Sequence, residues 1–294
     1  MSKAFQPAAS APPGFDEYWD SLLLDLTRIP LAATLDPKPD TTTEFATSYS
    51  LNLTSVGPYR LFAYYSVPRG EGPFPAILHT PSYMSVVTQT PYEERQRYVS
   101  MAICARGQRG SDKPYAARFP GLAIDGIDEP GTYVYRGIIA DTVRAIEFLL
   151  GRREVDARRI MVVGGDTALW GAALRPQVSA VMASDPAFYA ACELAPRTNL
   201  YPHEEWNEYA RTFPGKAAAM WTTLSYFDPL FFASRITADI RLSVAPEGGL
   251  FSRSTAAPLV AALSGQVEVD ERTGYGYLDF RRAHDWRDRH LVSK

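Results

Sequence analysis

The residues with the clearest chemical pattern are 164–168, Gly-Gly-Asp-Thr-Ala, which directly follow the apolar run 160–163. Such a run predicts a buried strand, and two glycines allow a tight turn with close backbone approach. The spacing small-x-nucleophile-x-small lifts one side chain over the N-terminus of the next helix. The residue at the centre of this pattern is Asp166, which makes it the first candidate for a catalytic group.

Asp166 has two interpretations. A desolvated carboxylate has a raised pKa that suits proton abstraction, so Asp166 is a candidate nucleophile or general base. An aspartate before Thr-Ala-Leu-Trp is also a favourable helix N-cap, which would direct its oxygens to the amides of the first turn. The sequence leaves both interpretations open.

The surrounding pattern predicts the elements that position this turn. Apolar and polar residues alternate in 43–54 and 60–67, which predicts two antiparallel strands. Helices are predicted at 15–26, 138–151 and 279–292. Buried strands are predicted at 74–79, 99–105, 160–163, 178–182, 240–244 and 266–269. This alternation predicts an α/β fold with a mostly parallel sheet flanked by helices.

The domain organisation follows from the same pattern. We expect a single domain over 1–294, with a loose arm at 1–12. Residues 187–235 read as a helical, aromatic-rich insertion, which we expect to cap the carboxyl ends of the strands, where ligands bind.

Composition narrows the classes of function. The chain has 294 residues, 46% hydrophobic and 21% charged, with a net charge of −3, which gives no sign of a nucleic-acid partner. Two cysteines predict no disulfide framework, and no apolar run is long enough to span a membrane. The N-terminus lacks a signal-peptide pattern, so we expect a cytoplasmic protein. No metal or cofactor motif is present, so neither a metal nor a cofactor is expected.

Several stretches match the motifs of one known family. They are residues 13–19 with P-x-F-D-x-x-W, 106–111 with R-G-Q-G-G-S, 133–136 with Y-Y-Y-R, 141–149 with D-x-x-R-A-x-E-F-L, 155–160 with V-D-x-x-R-I, and 224–228 with L-S-Y-F-D. Through them the chain resembles the acetyl xylan esterase / cephalosporin-C deacetylase family of α/β-hydrolases. The resemblance implies the α/β-hydrolase fold, a homo-oligomer (the family tends to hexamers) and an ancestor that removed acetyl groups from small oxygen esters.

The catalytic triad of that family does not carry over. Asp166 stands in place of its serine, and Tyr277 in place of its histidine. Its acid position aligns with Gly248, beside Glu247. Pro81 occupies the position of an oxyanion-hole amide, and proline has no N–H to donate. We therefore expect very weak or absent acetyl-esterase activity.

The leading hypothesis is a non-hydrolytic enzyme that catalyses proton transfer, cyclisation or elimination on a small organic molecule. Asp166 is its candidate base and Tyr277 its candidate acid, although Tyr277 also reads as an aromatic filler. One alternative is a pseudoenzyme that binds a ligand or assembles without turnover. Another is a weak ester hydrolase that uses Asp166 and Glu247. Glu247 is also interpreted as a solvated loop residue. The Ala/Arg/Pro-rich composition suggests a role in bacterial secondary metabolism.

Seven further residues are predicted to bind the ligand. Thr167 retains an amide that can face an anionic oxygen. Core packing is the alternative for each of the aromatic residues. The predicted ligand-binding residues are Pro81, Tyr83, Thr167, Trp170, Phe188, Trp221 and Tyr275.

Overall fold

The structure, a computed structural model, describes residues 5–292 and is built on one central sheet. Nine strands form this sheet in the order β1-β2-β3-β5-β4-β6-β7-β8-β9. The strands are β1 (Thr34–Pro37), β2 (Ala46–Ser55), β3 (Tyr59–Pro68), β4 (Phe74–His79), β5 (Val99–Cys104), β6 (Val155–Gly164), β7 (Ala180–Ser184), β8 (Asp239–Val244) and β9 (Val267–Glu271).

The pairing changes once across the sheet, from antiparallel to parallel. β1, β2, β3 and β5 pair antiparallel with one another, whereas β5, β4, β6, β7, β8 and β9 pair in parallel. Parallel neighbours need crossover connections, which the helices supply. The antiparallel pair predicted at 43–54 and 60–67 is therefore β2 and β3. The strands of the parallel part are those predicted from short apolar runs, beginning with β4.

Helices cover both faces of the sheet. They are α1 (Phe15–Thr27), α2 (Tyr92–Arg97), α3 (Val134–Leu150), α4 (Asp166–Leu174), α5 (Ala191–Leu194), α6 (His203–Thr212), α7 (Ala217–Ser225), α8 (Pro229–Phe232), α9 (Arg253–Ala262) and α10 (Gly276–Leu291). The larger core includes α1, α3 and α4 on one face. A smaller core packs Trp286 of α10 against Ile77 and Met161 of the sheet. None of the helices within residues 5–292 is long and apolar enough to cross a membrane.

The region 187–235 contains the four short helices α5 to α8 and interrupts the strand alternation between β7 and β8. Its aromatic side chains anchor it to the main body. Phe188 packs against Trp170 and Trp206, each with ring centroids 5.0 Å apart. The predicted helical insertion is therefore seated on α4, the helix that follows the candidate turn.

The N-terminal segment contacts the same region. Residues 5–12 form no helix or strand, but the amides of Ala8 and Ala9 donate to Oε1 of Glu193, at 2.8 and 3.3 Å. Helix α1 then buries an apolar stripe that includes Trp19, whose indole donates to the Tyr226 carbonyl at 3.1 Å. The first four residues of the predicted arm lie outside the described residues.

Candidate active site

The turn between β6 and α4 is built on a close backbone approach. β6 ends at Gly164, Gly165 follows, and α4 begins at Asp166. A side chain on Gly164 would place its Cβ 2.2 Å from Oγ1 of Thr80, so only glycine fits there. The strand, turn and helix predicted from residues 160–168 are therefore present, with Asp166 on the first turn of the helix.

The carboxyl group of Asp166 binds backbone amides of a different segment. Oδ2 accepts from the amide of Ala187 at 2.7 Å, and Oδ1 accepts from the amide of Phe188 at 3.0 Å. The cap position belongs to Gly165, and no side chain caps α4. The N-cap interpretation was therefore wrong. Because Asp166 lies one residue inside the helix, its side chain reaches across to the chain that leaves β7.

Burial changes the acidity of Asp166. Desolvation raises its pKa to about 7, against the opposing effect of the two amides that stabilise the charged form. The nearby carboxyl of Asp185 raises the pKa further. The pKa of Asp166 therefore lies near neutral pH, the range that suits proton transfer.

Asp166 lies in a pocket of about 270 Å³. The pocket brings together six residues predicted from the sequence, which are Pro81, Tyr83, Asp166, Thr167, Trp170 and Phe188. The remaining lining residues are Ser82, Tyr135, Gly165, Ser184, Asp185, Ala187, Tyr201 and Pro202. The wall thus combines aromatic rings with a few polar groups, as small-molecule sites do.

Four predicted residues do not reach this pocket. Tyr277 is 68% exposed on the first turn of α10, where its hydroxyl accepts from Arg281 at 3.2 Å. Tyr275 is 72% exposed just before that helix. Exposed Glu247 accepts from the amide and the hydroxyl of Ser254, at 3.1 and 2.8 Å. Trp221 lies on α7, outside the pocket wall. The predicted acid–base pair of Asp166 and Tyr277 is therefore not formed in this structure.

Pro81 and Thr167 meet at the floor of the pocket. The Thr167 hydroxyl lies 2.8 Å from Oγ1 of Thr80 and donates to the Pro81 carbonyl at 3.3 Å. The Thr167 side chain therefore holds the end of β4 against α4. Pro81 itself offers no amide to a developing oxyanion.

Tyr135 is a pocket residue that the sequence reasoning did not single out. Its ring is buried 4.6 Å from that of Phe188, and its hydroxyl has no hydrogen bond to any of residues 5–292. Burial raises its pKa well above the usual value, and the Asp166 carboxyl raises it further. Two features of the sequence pointed to it, the motif at 133–136 and its place on the first turn of α3. Tyr135 is thus a neutral hydrogen-bond donor available to a ligand.

Glu205 supports the pocket from behind Tyr83. Its carboxylate is buried and accepts from the amides of Gly121 and Ala123, both at 2.8 Å, and from the Tyr83 hydroxyl. The Tyr83 ring stacks parallel to Tyr201 of the helical insertion, with centroids 6.4 Å apart. These contacts hold the loop after β4 against the insertion.

No histidine is among the described residues that line this pocket. His79 lies at the end of β4, where Nε2 pairs with Glu94 at 2.6 Å. Within residues 5–292, no three His, Cys, Asp or Glu side chains are grouped to hold a metal ion. The described residues of the pocket therefore offer two carboxyl groups, those of Asp166 and Asp185, and the hydroxyls of three tyrosines.

Comparison with known proteins identifies the chain's relatives. The family model described as acetyl xylan esterase (AXE1) matches residues 2–262. The chain is 24% identical to the acetyl esterase Axe7A of Xylanibacter ruminicola over 255 residues, which is 81% of this chain and 57% of that protein. It therefore spans a little over half the length of that curated relative.

Two solved structures have the same architecture. An acetyl xylan esterase from Paenibacillus sp. R4 has a TM-score of 0.86 and 24% identity, over 98% of each chain. Acetyl xylan esterase 1 from Thermoanaerobacterium has a TM-score of 0.80 and 23% identity, over 95% of this chain and 94% of that one. The predicted α/β-hydrolase fold is thereby confirmed.

Proposed function

The chain belongs to the acetyl xylan esterase (AXE1) family, and we propose that it is a non-hydrolytic member in which Asp166 removes a proton from a small organic molecule. The observation that supports this is the Asp166 carboxyl itself, which lies in a pocket and has a pKa raised to about 7 by burial. A base with that pKa is present as carboxylate in about half of the molecules at neutral pH.

The proposal includes the loss of the family's triad. The turn carries Asp166, the part of the pocket lining that the structure describes contains no histidine, and Pro81 lacks an amide proton. A serine-type esterase needs a nucleophile, a histidine base and oxyanion donors within reach of one another. Proton transfer needs only the base and a substrate hydrogen at hydrogen-bond distance.

The test uses 5-nitrobenzisoxazole, a probe of carboxylate bases. The base takes the C3 proton, the N–O bond breaks, and a coloured cyanonitrophenolate is released. We expect a rate that rises with pH and levels off above about 7. Asp166→Asn should lower the rate about 100-fold or more, the usual contribution of a general base.

Asp228→Asn is the matched control. Asp228 is buried, and burial also raises its pKa to about 7, but it does not line the pocket. A comparable loss of rate in both folded variants would count against Asp166 as the base, and so would a rate that Asp166→Asn leaves unchanged.

Two alternatives predict other outcomes. Both Asp166 oxygens bind backbone amides, which favours a pseudoenzyme that binds without turnover. Binding of 5-nitrobenzisoxazole without conversion would support the pseudoenzyme. The acetyl esterases among the relatives favour a weak hydrolase, which gains if 4-nitrophenyl acetate is cleaved and Asp166→Ala abolishes the cleavage. Under our proposal its cleavage stays at the uncatalysed rate.

Several predictions made from the sequence remain proposals: the homo-oligomer, the cytoplasmic location and the role in secondary metabolism. The same holds for the ligand assignments of Trp221 and Tyr275 and for the catalytic assignments of Tyr277 and Glu247.

A further inference from the structure

A second cavity, of about 400 Å³, lies beside the Asp166 pocket. Buried Pro186, Leu194 and Phe251 form much of its wall, and exposed Leu200 stands at its edge. Its volume falls within the range typical of small-molecule sites. A cavity with such walls favours apolar groups, because they leave water on entering it.

The two cavities share part of their walls. Asp185, Ala187, Tyr201 and Pro202 line both. Ala187 lies between two polar side chains, since its amide donates to Asp166 and its backbone also hydrogen-bonds His203. The second cavity therefore borders the candidate active site along Asp185 and Ala187.

Among the described residues that line the second cavity, none carries an unpaired charge at neutral pH. Burial lowers the pKa of His203 to about 4, so its imidazole is neutral. Arg272 pairs with Asp185 at the wall that the two cavities share. A charged ligand group would lose hydration there without gaining a partner, whereas an uncharged apolar group would not.

We propose that the second cavity binds the apolar arm, an alkyl chain or a ring, of the same small molecule whose polar group lies at Asp166. The inference rests on the proposed function for the placement of the polar group. It assigns the ligand class: an elongated, uncharged molecule with a hydrogen-bonding head and an apolar tail of several carbons. Asp166 and Tyr135 face the head, and the walls around Leu194 and Phe251 face the tail.

The test is calorimetric binding of 4-methylphenol, 4-propylphenol and 4-pentylphenol to the intact protein. The phenol hydroxyl is the same in all three, so only the tail changes. We expect the affinity to rise about fourfold for each added methylene, as burial of one methylene predicts. An affinity independent of tail length, or no binding of any of the phenols, would overturn the proposal.

Leu200→Asp places a charge at the edge of the second cavity without disturbing the core, because Leu200 is 66% exposed. We expect it to abolish most of the gain with tail length. Leu24→Asp is the matched control, since Leu24 is 52% exposed on α1 and lines neither cavity. The proposal would be contradicted if affinity rises equally with tail length in the two variants while their thermal unfolding is unchanged.

Asp166→Asn separates this inference from the proposed function. If Asp166 is not a base but the cavity binds the tail, the variant keeps the gain with tail length while 5-nitrobenzisoxazole is converted neither by it nor by the parent protein. If Asp166 is a base but the cavity does not bind the tail, the elimination is lost in the variant, and binding by the parent protein shows no dependence on tail length.

Discussion

Asp166 and Asp228 hold opposite ends of one short segment. Asp166 accepts from the amide of Ala187 at 2.7 Å, and Asp228 accepts from the amide of Ala190 at 2.9 Å. Ala190 has a positive φ of 45°, which a non-glycine residue adopts only when its surroundings hold it there. Phe188, between the two ends, packs its ring against Tyr135 and Trp170 in the pocket wall. Asp166 and Asp228 therefore hold the two ends of residues 187–190.

The stability of the protein should depend on the protonation of Asp166. An unfolded aspartate has a pKa of about 3.9, whereas burial raises the folded value to about 7. The folded state therefore binds more protons between these values, so the free energy of unfolding falls as pH rises through this window. Asp166→Asn should flatten that fall by up to about 1.4 kcal/mol per pH unit, measured by urea unfolding. Exposed Asp112→Asn should leave the curve unchanged, and parallel curves for both variants would contradict the assignment.

Truncation should release each end of the segment separately. Asp166→Ala leaves two backbone amides without their acceptor, so we expect faster hydrogen exchange at Ala187 and Phe188 and a stability loss of about 1–3 kcal/mol. Asp228→Ala should speed exchange at Ala190 and at Leu230, whose amide also donates to Asp228 at 2.9 Å. If either variant speeds exchange equally at both ends, the two carboxyls do not hold the segment independently.

Tyrosine substitutions should distinguish the pocket from the surface. Tyr135→Phe removes a hydroxyl without a protein partner among residues 5–292, so stability should hold while 4-methylphenol binds about fivefold more weakly, as loss of one hydrogen bond predicts. Tyr277→Phe, on the exposed first turn of α10, should change neither quantity. Calorimetry measures the affinity for 4-methylphenol, and thermal unfolding measures the stability. Weaker binding in Tyr277→Phe alone would show that the ligand contacts Tyr277 and not Tyr135.

The contact of Tyr83 with Glu205 should contribute to stability. Tyr83→Phe removes one donor from a buried carboxylate that keeps the amides of Gly121 and Ala123. We expect a loss of about 1.5–3 kcal/mol in the free energy of unfolding, typical of a hydrogen bond to a charged group. Tyr92→Phe, an exposed tyrosine on α2, is the control. A loss no larger than in the control would show that Glu205 does not need Tyr83.

The tight turn before Asp166 should reject a side chain. Gly164→Ala brings a Cβ to 2.2 Å from Oγ1 of Thr80, and overpacking of this kind costs about 1–3 kcal/mol. Adding Thr80→Ala removes the clashing atom and should recover part of the loss. Urea unfolding of the single and double variants measures this. If the stability losses of the two single variants simply add in the double variant, the Cβ at position 164 does not clash with Thr80.

The sequence alone was enough for eight of the nine strands and for the turn, whereas β1 was not predicted. Short β-branched runs, helical spacing and a pair of glycines act over a few neighbouring residues, so they predicted β6, the turn at 164–165 and the start of α4. The family motifs predicted the α/β-hydrolase fold, because they lie along nearly the whole chain. The aromatic character of 187–235 indicated the helical insertion, and six of the predicted residues line the pocket.

Only the tertiary structure decided which residues meet. The partners of Asp166 are amides 21 and 22 positions away, and those of Glu205 lie more than 80 positions away. Tyr277 was placed by alignment with a histidine position, yet it lies exposed on the first turn of α10. Tyr135 reaches the pocket only because α3 packs beside α4. Local patterns set the conformation of each element, whereas side-chain direction and desolvation arise only when the elements pack together.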